Sequence, residues 1–175
     1  MTESEIPPYV DTRKVFQQTE TLKGTIEFDR LPRFQDCLLE IRGNVHVELE
    51  FSTNKSKQRV ITGKLSAPSS VACQRCLEAV QIEVTDSFQL ALVKKEADID
   101  KLDDLLDPWF CEDHKLDVAA MVEEQLLLCL PLVSKHDDKN CLSSLGYEQQ
   151  DKGNEELEDR PLKESPFAIL KVLKD

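Results

Sequence analysis

Between Val45 and Phe51 apolar and polar residues alternate without a break: Val45, Val47, Leu49 and Phe51 on one side, His46, Glu48 and Glu50 on the other. A period of two puts successive side chains on opposite faces of an extended chain, so this segment is a strand with one buried and one wet face. Such a strand needs neighbours, and the chain supplies them. Asn54-Lys55-Ser56-Lys57 is a polar turn and Val60 to Ala67 a partner, so residues 43–67 read as an antiparallel hairpin. Leu22 to Phe28 alternates upstream. After an interruption at Pro68-Ser69-Ser70, Val80, Ile82 and Val84, then Phe88, Leu90 and Leu92, read as two further strands. Asp117 is a candidate N-cap for a helix over 118–130, with Val118, Met121, Val122, Leu126 and Cys129 near helical spacing and Pro131 as its stop. Leu127, Leu128 and Leu130 make its last turns apolar nearly all round, which predicts deep burial there. Glu123 and Glu124 on the same helix are expected to face water.

The remaining segments are weaker. Residues 1–20 are polar and expected to be loosely ordered, and the acidic stretch 96–115 is expected to be a loop pinned by Trp109 and Phe110. Residues 148–164 read as a flexible acidic linker. Ser165 and Pro166 then open a terminal amphipathic helix with Phe167, Leu170 and Leu173 as its stripe. The fold class that follows is α+β, in a single domain over 1–175. An antiparallel sheet of five or six strands, open or curled into a partly open barrel, packs on one long helix, and the C-terminal amphipathic helix closes an edge.

Charge narrows the function. The net charge is −12. Residues 1–75 hold 11 basic and 10 acidic residues, whereas residues 76–175 hold 11 and 24. That balance disfavours general nucleic-acid binding, which needs cations against phosphate, and favours a basic protein partner or plain solubility. No apolar run is long enough for a membrane span, and residues 1–8 lack a signal-peptide pattern, so the expected location is cytoplasmic, with no membrane role. The five glycines are scattered, no phosphate-cradling loop or metalloprotease motif occurs, and the three histidines share no motif with a serine. The chain reads as no enzyme, and no small-molecule substrate is implied.

Two constellations remain. Cys73-Gln-Arg-Cys76 places two thiols at one tight turn, and His136 with Cys141 offers an imidazole and a third thiol at another. Together they make a tetrahedral zinc set of three sulfurs and one nitrogen, provided the fold joins them. Ordinary reduced thiols and a redox dithiol are the other readings. Cys37, Cys111 and Cys129 look like packing residues. Lys55, Lys57, Arg59 and Lys64 gather cations in the hairpin, with Arg75 further on, as a candidate RNA contact; a solvated turn is the plain alternative.

The order of Ala72-Cys73-Gln74-Arg75-Cys76-Leu77, then Leu116-Asp117-Val118-Ala119-Ala120-Met121-Val122-Glu123-Glu124-Gln125-Leu126, then Leu130-Pro131-Leu132-Val133, His136-Asp137, Cys141 and Ser165-Pro166-Phe167-Ala168-Ile169-Leu170 resembles the bacterial YceD family, the large ribosomal RNA subunit accumulation proteins. The resemblance implies a part in synthesis, processing or stability of 23S ribosomal RNA, and so in ribosome biogenesis. It implies large-subunit ribosomal RNA or basic ribosomal proteins as partners, and carries no catalytic residue. The alternative from another class is a thiol-based redox protein or a zinc-binding chaperone or adaptor.

Overall fold

The computed structural model describes residues 4–138, 140–143 and 146. In chain order the elements are β1 (Tyr9–Asp11), α1 (Thr12–Gln18), β2 (Thr21–Ile26), α2 (Pro32–Gln35), β3 (Glu40–Ile41), β4 (Val45–Thr53), β5 (Arg59–Ala72), β6 (Ala79–Val93), β7 (Asp107–Phe110), β8 (Lys115–Asp117) and α3 (Val118–Leu128), with short 3-10 turns at Phe28–Arg30 and Glu96–Lys101. The main sheet runs β2-β4-β5-β6-β7, with β3 also on β5, and β1 pairs separately with β8. The path is open, with edges at β2 and β7, and does not close into a barrel.

The alternating segment is β4, and its predicted hairpin with β5 is the centre of the sheet, from His46 opposite Ser66 to Thr53 opposite Arg59. Val45, Val47, Leu49 and Phe51 all lie in the core. So do Ile61, Leu65 and Ala67 of β5 and Val84, Phe88 and Leu90 of β6. Gly63 lies opposite both Leu49 and Phe88. The Phe88 ring occupies the space its Cβ would need, with a carbon 2.0 Å from that position. Over this layer sit Val118, Met121, Val122 and Leu126 of α3, together with Leu31 and Phe34 around α2. Asp117 caps α3 as expected, accepting from the Ala120 amide at 3.0 Å.

Several expectations need correction. Strand β5 runs straight through Pro68. On one side β4 pairs only as far as Ser66, and β3 resumes at Ser69. Pro68 falls in that gap, the edge-like setting in which a strand tolerates a residue without N–H. The two strands expected at 80–92 are one 15-residue strand, β6. Strand β7 joins the sheet parallel to β6, from Asp107 beside Leu90 to Phe110 beside Val93, so the sheet is not wholly antiparallel and the acidic stretch is not simply a loop. Residues 1–20, expected to be loose, hold β1 and α1, and Ile6, Val15 and Phe16 are buried. Asp11 caps α1 through the Arg13 amide, and the Phe16 ring meets Phe51 edge-on at 5.4 Å. Helix α3 ends at Leu128, and Leu128 itself is 73% exposed, where deep burial was predicted. The acidic linker 148–164 and the terminal helix from Ser165 lie outside the described residues. Among those described, no helix is long and apolar enough to cross a membrane.

Candidate metal centre

The turn joining β5 to β6 is the Cys-x-x-Cys segment itself. Ala72 and Ala79 form the last registered pair of the hairpin, and residues 73–78 turn between them. The Cys73 amide donates to the Glu78 carbonyl at 2.8 Å, and the Leu77 amide donates to the Cys73 carbonyl at 2.8 Å. The turn is tight enough to force Leu77 to φ 64°, a left-handed conformation that a branched side chain adopts only under tertiary constraint. Cys73 and Cys76 are both buried.

The chain leaving α3 comes back onto this turn. The Gln74 amide donates to the Ser134 carbonyl at 2.8 Å, and its side-chain amide donates to the Leu132 carbonyl at 3.1 Å. The Arg75 guanidinium donates to the carbonyls of His136 and Asp138. This lays His136 over the hairpin tip. Its Nδ1 is 3.4 Å from Cys76 Sγ, and its Nε2 is 3.1 Å from the Ala79 carbonyl. Cys141 completes the group: ligand atoms of Cys73, Cys76, His136 and Cys141 all lie within 4.8 Å of one another. The four residues singled out in the sequence thus converge, although 60 positions separate Cys76 from His136. A cluster of this kind can hold a metal ion.

The thiols do not titrate alike. Burial alone would raise Cys73. Amide hydrogen bonds from Cys76, Arg75 and His136 and the Cys76 thiol outweigh it and bring Cys73 to about 5. Cys141 is pushed up to about 11 by desolvation and by the Cys76 and Cys73 sulfurs.

The other cysteines stand apart. Cys37 is exposed. Burial and the nearby Asp113 carboxylate raise Cys111, and burial with Asp86 lifts Cys129 to about 11. Because only accessible thiolate alkylates readily, iodoacetamide near neutral pH should modify exposed Cys37 ahead of Cys111 and Cys129, and these two should stay intact in the folded chain. Peptide mass mapping checks this order; early labelling of Cys129 would contradict its packing.

The five cations picked out as an RNA contact do not share one place. Lys57 and Arg59 line a cleft of about 460 Å³ with Ser56, Lys94, Lys101 and Asp98. Lys55 stands exposed on the same turn, and Arg59 lies over the Phe16 ring at 5.5 Å. The turn is fastened to the chain beyond β6, with Gln58 donating to the Lys101 carbonyl at 2.8 Å. Lys64 sits instead on the outer sheet face, opposite Glu48. Arg75 is committed to the hairpin tip. Sequence reasoning missed Lys94 and Lys101, whose proximity depends on the Glu96–Lys101 turn folding back. It also missed Ala79, whose contribution is a backbone carbonyl and leaves no trace in residue type.

Comparison with known proteins adds a separate line. The family model described as "Large ribosomal RNA subunit accumulation protein YceD" matches residues 61–174. A protein with that name from Haemophilus influenzae (strain ATCC 51907 / DSM 11121 / KW20 / Rd) is 29% identical over 175 residues, which covers 99% of each chain. No solved structure matches.

Proposed function

The chain belongs to the YceD family of large ribosomal RNA subunit accumulation proteins, and from that premise we propose that it is a non-catalytic, cytoplasmic ribosome-biogenesis factor needed for synthesis, processing or stability of 23S ribosomal RNA. The observation that carries this reading is the end-to-end relationship with the Haemophilus influenzae protein of that name. In this reading the Cys/His cluster serves the fold, and no reaction passes through it. The redox alternative draws no support from the comparisons. The test is genetic: deletion of the gene should lower 23S relative to 16S ribosomal RNA, and the intact chain should restore it. An unchanged ratio in the deletion strain would sink the reading.

RNA contact, on this reading, runs through the cleft. Lys55, Lys57 and Arg59 are its core on the hairpin turn, and Lys94 and Lys101 supply the facing cations. Lys64 and Arg75 are peripheral to it. Reversing Lys55, Lys57 and Arg59 to Glu should weaken crosslinking to ribosomal RNA and flatten its salt dependence, by roughly one unit of log–log slope for each phosphate that is no longer neutralised. Reversing Lys64 alone should change neither.

A second reading is favoured by a specific surface. The edge strand β7 and helix α3 bound a groove of about 470 Å³ lined by Trp109, Phe110, Leu128, Asp107 and Glu124. Exposed Phe110 and Leu128 beside the acidic stretch 96–113 suit a basic, partly apolar protein segment, such as a ribosomal protein would present. Wild-type protein that yields no RNA crosslinks, yet co-purifies with a basic large-subunit protein in a manner abolished by Phe110→Asp, would move the partner from RNA to protein.

A further inference from the structure

Four features of the hairpin tip go beyond the chance meeting of three thiols and an imidazole. The first is distance. Zinc binds thiolate sulfur at about 2.3 Å and imidazole nitrogen at about 2.0–2.1 Å, so a sulfur and a nitrogen on one tetrahedral ion stand about 3.5 Å apart. Cys76 Sγ and His136 Nδ1 are 3.4 Å apart, and the whole set stays within 4.8 Å. The second is the tautomer. The Ala79 carbonyl can only accept, so the 3.1 Å contact requires the proton on Nε2. That leaves the Nδ1 lone pair aimed at the sulfurs, the arrangement in which a ligating histidine is oriented by its other nitrogen.

The third feature is support for negative sulfur. The Arg75 amide lies 3.5 Å from Cys73 Sγ, while its guanidinium is held by two carbonyls of the opposing segment. The fourth is the strained turn. Leu77 keeps φ 64° while largely exposed, so side-chain burial does little to offset the cost; a constraint that closes the Cys73–Cys76 turn would.

We propose that Cys73, Cys76, His136 and Cys141 bind one zinc ion, which fastens the segment after α3 to the tip of the β5–β6 hairpin. The donor set of soft thiolates with one imidazole suits zinc and excludes magnesium or calcium, which take oxygen. Four protein ligands fill a tetrahedral shell and leave no position for water or substrate, so the ion is structural. Its mechanical role follows from the connections around it. Between Leu128 and Cys141 the described chain has neither helix nor strand, and Leu132, Ser134, His136 and Asp138 hydrogen-bond to the hairpin tip. The ion closes this long loop. It stands independently of the ribosomal reading, since it rests on the tip alone.

The test uses the full-length, untagged protein purified under reducing conditions without chelator. Elemental analysis should find about one zinc per chain. Cys73→Ser and Cys141→Ser should each reduce it to a small fraction, and a triple Cys37→Ser, Cys111→Ser, Cys129→Ser variant should keep it. Replacing zinc by cobalt should give the visible absorption of a tetrahedral thiolate site. Should the serine variants fail to fold, His136→Cys still decides, because four sulfurs should retain the ion. Chelating the wild-type protein should speed amide exchange in residues 131–141 by at least about tenfold while leaving α3 protected. Folded protein with no bound zinc and no cobalt spectrum would overturn the assignment. So would a different metal in stoichiometric amount, a Cys73–Cys76 disulfide as the native state, or zinc that persists in both serine variants.

Discussion

Truncating Leu126 to Ala should destabilise the fold by about 2–5 kcal/mol, the range for emptying a large aliphatic site in a close-packed core. Leu126 is fully buried in the cluster that holds Phe34, Phe51, Ile61 and Leu90. It belongs to the face of α3 that also presents Val118, Met121 and Val122 to the core. Helix α3 lies against β5 and β6, whose backbones are paired on both sides and resist collapse into the void. Denaturant titration reads the change as a shift in midpoint at constant slope. A loss under about 1 kcal/mol would mean that the helix presents a different face. Leu128→Ala is the control on the same helix, and its exposure makes it close to neutral.

Removing the Glu123 carboxylate should cost about 2–4 kcal/mol, because it leaves two backbone amides without an acceptor. Glu123 is only 7% exposed. Its Oε1 accepts from the Arg33 amide at 2.7 Å and the Phe34 amide at 3.3 Å, the free N–H groups of the first turn of α2. Pro32 opens that turn and Leu31 offers no side-chain cap, so the cap comes from α3 across the core. Glu123→Ala empties the acceptor position. Glu123→Gln keeps a neutral acceptor and should recover part of the loss, and that partial recovery separates hydrogen bonding from simple packing. Glu124 beside it pairs with the exposed Arg33 guanidinium at 2.8 Å. Glu124→Ala should cost no more than about 1 kcal/mol, as surface pairs do. Thermal or chemical unfolding of these variants beside the wild type is the measurement; equal effects at 123 and 124 would refute the capping role.

This pair of carboxylates shows where reading a sequence stops. Periodicity places both on α3 and favours water for each, and for Glu124 that is nearly right. Nothing local tells Glu123 that a helix from the other end of the chain arrives without a cap. The same holds for Leu128, whose neighbours Leu127 and Cys129 pack against the core and whose own position faces out beside β7. Period-two alternation locates β4 and both its partners, since each face is settled within the strand. It splits β6 in two, because Asp86 interrupts the apolar row on a face that is only partly covered there. Pro68 reads as a break because the gap between β4 and β3 is a property of two other strands. Helix α1 is too short to show a period, and the packing of Val15 and Phe16 against the core stabilises it together with the Asp11 cap.

The convergence of the Cys/His cluster was legible for a different reason. Each half is a local pair, and residue chemistry limits what such pairs can do together. What remained hidden was the supporting set: the Ala79 carbonyl, the Arg75 grip on two carbonyls and the Gln74 contacts, all of them backbone positions or rotamers that residue type does not encode. The cationic site shows the reverse. Its members on the turn are adjacent in sequence and stay together, whereas Lys64 was grouped with them by closeness along a strand. Roughly five residues of extended chain carry it about 16 Å from Arg59.

That last distance has a larger counterpart. Strand β5 runs without interruption for 14 residues, from Arg59 in the cationic cleft to Ala72 at the edge of the cysteine turn, and β6 returns alongside it. At roughly 3.3 Å per residue the two ends stand about 40 Å apart. A strand paired along its length on the β6 side resists shortening, so its two ends keep a set separation. Anything that engages both ends together must itself present matching features at that separation. A ligand shorter than that separation can reach only one of them.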